Sequence, residues 1–76
     1  MTNTLELKAM MIRRQITAEE LADRIGISQQ SLSYKINNKR EFTSSEIKSI
    51  SDVLAMTLEE RDMIFFGDVV ENNSTR

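Results

Sequence analysis

The sequence predicts an all-α fold of five short helices, and three observations predict it. Only two glycines and no proline occur in 76 residues, so little interrupts helical segments. Apolar residues recur at helical intervals of three and four, with few of the alternations that mark strands. Helix starts are announced repeatedly by a capping residue with glutamate three positions later.

Asn3/Glu6, Thr17/Glu20, Thr43/Glu46 and Thr57/Glu60 all have that spacing, and Ser28 opens one further segment without the distal glutamate. A side-chain oxygen at the cap satisfies a free N–H of the first turn, and the glutamate returns the favour to the cap's own N–H. The predicted helices span residues 3–14, 18–25, 29–37, 44–55 and 58–66. Leu7, Met10 and Met11 line one side of the first, with Leu5 and Ile12 nearby; Leu21, Ala22 and Ile25 line the second. Leu32 and Ile36 line the third, Ile47, Ile50 and Leu54 the fourth, and Ile64, Phe65 and Phe66 the last. Each stripe is narrow, so no helix is stable alone and all must pack together. The five methionines read as adaptable core filler.

Gly26 and Gly67 stand where a left-handed residue ends a helix, and Asn38 can do the same for the third. Residues 68–76 lack helical periodicity and read as a flexible C-terminal tail, which leaves residues 1–67 as one domain.

Composition narrows function. Cysteine and histidine are both absent, which removes disulfides, thiolate metal sites and the commonest general base. No nucleophile–base pair or metal cluster can be assembled, so neither catalysis, a metal nor a cofactor is expected. The first residues resemble no signal peptide and no stretch could span a bilayer, so a complete cytoplasmic protein is expected. The net charge is −2, but it is unevenly spread. Residues 1–42 hold seven basic residues against five acidic, and residues 43–76 hold three against seven. Between Arg24 and Arg40 four basic residues occur with no acid. Screening over about 8 Å lets such a local face bind phosphate on an acidic protein.

The informative stretch runs from Thr17 to Ile36. Two short helices meet across the turn Gly26-Ile27-Ser28, which is the spacing of a helix-turn-helix. Ala22 suits a close helix crossing, and Gly26 suits the turn's backbone. With Leu32 and Ile36 inward, Gln30, Ser33, Tyr34 and Asn37 fall on the outward arc, and Gln29 projects from the first turn. Taken alone, Gln29 and Gln30 are ordinary solvated helix formers, and Tyr34 suits packing on the domain surface equally well. In this setting Gln29, Gln30, Ser33 and Tyr34 are candidate base contacts. Thr17, Ser28, Ser31, Lys35, Asn37, Lys39 and Arg40 are candidate phosphate contacts, aided by the helix N-termini.

Residues Leu21-Ala22 through Lys39-Arg40 resemble the Cro/repressor-type (XRE-like) helix-turn-helix family, and the likeness extends over about residues 5–66. Ser28-Gln29-Gln30-Ser31 is similar to the opening of the recognition helix in lambdoid phage repressors. The run Leu32-Ser33-Tyr34-Lys35-Ile36-Asn37-Asn38-Lys39-Arg40-Glu41-Phe42 is similar to small regulators from phages of Gram-positive bacteria. The resemblance implies a lambda-repressor-like domain with the helix-turn-helix at its second and third helices. It also implies a transcription regulator, repressor or Cro-like, whose glutamines read bases in double-stranded operator DNA. A homodimer on a two-fold operator follows, with half-sites about 34 Å apart. No small-molecule effector is indicated.

The sequence departs from its relatives at three places. Ala18 stands where many have a phosphate-binding glutamine, and Lys35 where many have an apolar residue. Met11 and Ile36 replace an ion pair that many relatives form, so these two side chains are expected to touch. A rival reading is a helix-turn-helix scaffold reused as a protein-interaction module, an anti-repressor or adaptor, supported by the pI near 5.0 and the acidic second half.

Overall fold

The computed structural model describes the backbone of residues 1–74 and the side chains of residues 1–67. Five helices follow in order: α1 (Thr4–Arg13), α2 (Ala18–Ile25), α3 (Gln29–Ile36), α4 (Ser44–Val53) and α5 (Leu58–Ser74). There is no strand among the described residues. Four of the five capping residues act as their sequence position implies; Asn3 is the exception, since its N–H goes to Ile64 O and not to Glu6. The reciprocal box is complete at Thr17/Glu20, Thr43/Glu46 and Thr57/Glu60, while Asn3 and Ser28 each accept one first-turn N–H.

α2 packs against α3 and α4, and α5 packs against α1 and α4. The shared core comprises Leu7, Met10, Met11, Leu21, Ala22, Leu32, Ile36, Phe42, Ile47, Ile50, Leu54, Ile64 and Phe65. Phe42 and Phe65 meet edge to face with ring centroids 5.5 Å apart, which fastens the α3–α4 loop to α5. Met10 and Met11 fill the core as expected, whereas Met1 and Met63 are exposed. Leu5 and Ile12 are also exposed. Met11 and Ile36 line the same shallow apolar recess, together with Ile12 and Ile16.

α5 differs from its sequence pattern. Gly67 does not take the left-handed conformation that would cap a helix; Gly26, at φ 79°, is the glycine that does. The backbone kinks at Phe66 (φ −130°, ψ 17°) and then resumes helix through Ser74. Of the segment read as a tail, residues 68–74 therefore extend α5, and residues 75–76 lie outside the described residues.

Three helices end on left-handed residues that are not glycine: Gln15 (φ 58°), Asn38 (φ 64°) and Ala55 (φ 52°). In each case the following N–H reaches back five residues, Ile16 to Met11, Lys39 to Tyr34 and Met56 to Ser51, so the last carbonyls are satisfied. Asn38 earns its conformation with further bonds, described below. Ala55 is exposed, and its carbonyl accepts only a long bond, 3.4 Å, from Arg14 Nη2. Replacing Ala55 by glycine should relieve a left-handed strain of about 1–2 kcal/mol, less about 0.5–1 kcal/mol of added chain entropy. The net gain should raise Tm by about 4 °C in a thermal melt. An unchanged or lowered Tm would show that the turn carries no strain.

Candidate nucleic-acid interface

The candidate surface is set by how α3 is held. Leu32 is fully buried and Ile36 nearly so, which turns the opposite side of the helix outward. Gln29, Gln30, Ser33, Tyr34 and Asn37 are all exposed there, with Lys39 and Arg40 exposed just beyond the helix end. The sequence-predicted candidates are thus gathered on and beside α3, and two of them, Lys35 and Thr17, already have their donors committed.

The first of these is Lys35. Its ammonium bonds both oxygens of Glu46, at 2.7 and 2.6 Å, and the two side chains are only 13% and 14% exposed. Lys35 is therefore removed from the expected phosphate contacts, because its charge is already neutralised beneath the helix. Glu46 also accepts the Thr43 N–H at 2.9 Å, so one carboxylate both caps α4 and ties it to α3. Burial by itself would raise the Glu46 pKa; the Lys35 and Thr43 hydrogen bonds and the Lys35 charge outweigh it, and the carboxyl lies below its ordinary value.

Thr17 is the second. Its N–H and its hydroxyl both donate to Glu20 Oε1, at 3.0 and 3.2 Å, so neither donor is free. These bonds, the backbone one first, also lower the Glu20 pKa. What Thr17 contributes is the alignment of the first turn of α2, whose next N–H groups lack intrahelical partners. Ser28 has the same geometry with more freedom. Its Oγ accepts the Ser31 N–H at 3.1 Å, which leaves both the Ser28 and Ser31 hydroxyl hydrogens available. Asn37 folds back on its own helix, donating to Ser33 O at 2.9 Å and keeping its Oδ1 outward-available.

Tyr34 organises the middle of the surface. Gln30 Nε2 donates to the Tyr34 hydroxyl at 3.2 Å. Lys39 Nζ and Arg40 Cζ lie 5.9 and 5.8 Å from the Tyr34 ring centroid. Neither cation forms an ion pair among the described residues.

Asn38 and Arg14 tie the ends of α3 and α4 into the fold, and the residue pattern does not mark either as doing so. The Asn38 amide exchanges two hydrogen bonds with the backbone of Thr2, at 2.7 and 2.9 Å, while Asn3 N–H donates to Ile64 O at 2.7 Å. The N-terminal segment thereby joins the end of α3 to α5. Arg14 Nε donates to Leu54 O at 2.7 Å and so caps the C-terminus of α4. Both contacts span more than 35 residues, and nothing in local spacing signals them.

No helix among the described residues is long and apolar enough to cross a membrane. Comparison with curated proteins and with solved structures yields no match. A family model described as helix-turn-helix does match, over residues 7–61, a span that takes in the α2–α3 pair and all of the core except Ile64 and Phe65. The chain accordingly belongs to the Cro/repressor-type (XRE-like) helix-turn-helix family of DNA-binding transcription regulators.

Proposed function

We propose that this chain is a repressor or Cro-like regulator of the phage type that reads the major groove with α3. The observation that carries the reading is the two-sidedness of that helix: Leu32 and Ile36 are buried while Gln29, Gln30, Ser33 and Tyr34 are exposed. Gln29, Gln30 and Ser33 supply the base contacts, and Tyr34 stands among them on the same face. Phosphates are held by Ser28, Ser31, Asn37, Lys39 and Arg40 and by the first-turn N–H groups of α2. The working form is a homodimer on a two-fold operator, and it acts by occupying DNA that polymerase needs. Exposed Leu58, Met63 and Phe66 give α5 an apolar surface suited to a second copy.

Equilibrium binding of two variants tests the division of labour. Gln30→Ala should weaken the best site by about 1–3 kcal/mol and leave random duplex unaffected. Lys39→Gln should weaken all duplexes alike and reduce the salt slope by about one. If Gln30→Ala lowers affinity for all DNA equally, direct readout by α3 is wrong. If the unmodified chain ignores duplex DNA at low salt, the adaptor reading replaces this one.

A further inference from the structure

The contact between Gln30 and Tyr34 has a consequence for which base is read. The two residues stand four apart on α3, where side chains meet on the helix surface. A solvated glutamine ordinarily samples several rotamers, and ordering one of them on DNA opposes binding. Here the amide is already held in the free protein. One Nε2–H is engaged by the Tyr34 oxygen, which leaves the second N–H and Oε1 for DNA. Adenine offers a matching pair in the major groove, N7 to accept and N6–H to donate, whereas guanine offers two acceptors.

We propose that Tyr34 is a positioning residue for readout: its hydroxyl fixes the Gln30 amide for adenine, and its ring holds Lys39 and Arg40 at the groove edge. The two tasks use different parts of one side chain. The hydroxyl sets specificity, and the ring face, within 6 Å of both cations, sets where phosphate charge is met. This role rests on the proposed reading of DNA by α3.

Selection from a randomised duplex pool, followed by binding of Tyr34→Phe, Tyr34→Leu, Gln30→Ala and the Tyr34→Phe/Gln30→Ala double variant, tests it. The unmodified protein should select adenine at the position whose preference Gln30→Ala abolishes. Tyr34→Phe should cut adenine-over-guanine discrimination there by about tenfold, with random-duplex affinity and Tm unchanged. In the Gln30→Ala background the same change should do nothing, because the hydroxyl acts only through the amide. Tyr34→Leu should in addition weaken random duplex, since it also removes the ring. A Tyr34→Phe effect that persists without Gln30 would mean the hydroxyl touches DNA itself and would overturn the positioning role. So would selection of guanine at the Gln30 position. An unmodified protein that selects no duplex overturns the DNA-reading function, and this role falls with it.

Discussion

Glu46→Gln is expected to destabilise the domain by about 3 kcal/mol, because it leaves the Lys35 ammonium largely enclosed without a counter-charge. Glutamine still fits the capping box with Thr43, so the loss isolates the ion pair from the cap. Against a total stability of about 5–15 kcal/mol, that is a large fraction for one atom exchanged. The pair itself is not intrinsically more stabilising than apolar packing. Lys35→Met combined with Glu46→Gln removes both charges and should recover most of the lost stability. Denaturant melts of the three proteins measure this. Equal stability of Glu46→Gln and the parent would show that water, not Glu46, satisfies Lys35.

The same pair sets an acid limit. The Glu46 carboxyl is lowered in the folded state, so its contribution is complete above the unfolded value of about 4.3 and is lost as pH falls through the folded value. Acid unfolding of the Lys35→Met/Glu46→Gln protein should consequently be shallower than that of the parent below about pH 4. Its salt slope on DNA should match the parent's, since Lys35 meets no phosphate in this arrangement.

Leu32→Ala has the other large expected effect, a loss of about 2–5 kcal/mol. Leu32 is fully buried, and the residues packed around it come from helices that cannot all move inward to close the gap. The denaturation midpoint should fall while the slope stays constant, which marks lost stability without a changed unfolded state. Leu32→Ala and Gln30→Ala then separate fold from function on opposite faces of one helix. The first should lower stability and leave the affinity of the folded fraction nearly intact. The second should lower affinity with stability intact. A Leu32→Ala protein as stable as the parent would place that side chain outside the core.

Much of this architecture is legible in residue order because its signals are local. A capping residue and its glutamate lie three positions apart, and Gly26 marks its own turn, so α2 to α5 begin where the sequence puts them and α1 one residue later. The outward face of α3 follows from Leu32 and Ile36 by helical period alone. What the sequence conceals depends on approach through space. Lys35 reads as a phosphate contact until Glu46, eleven residues on, is folded beneath it. Arg14 lies forty residues from the carbonyl it caps, and Asn38 thirty-six from the backbone it holds. Leu5 and Ile12 are apolar at helical spacing yet exposed, because the period identifies a stripe without saying which neighbour covers it. Gly67 misled for a related reason: glycine permits a left-handed end but does not require one.

The most direct test of the central claim, that the uncovered side of α3 enters DNA, is a map of backbone amide shifts as a selected duplex is added. The largest changes should fall at Gln29, Gln30, Ser33, Tyr34 and Lys39, and they should fade as salt rises. Unmoved amides in α3, with changes gathered instead on the acidic α4 and α5 half, would contradict it.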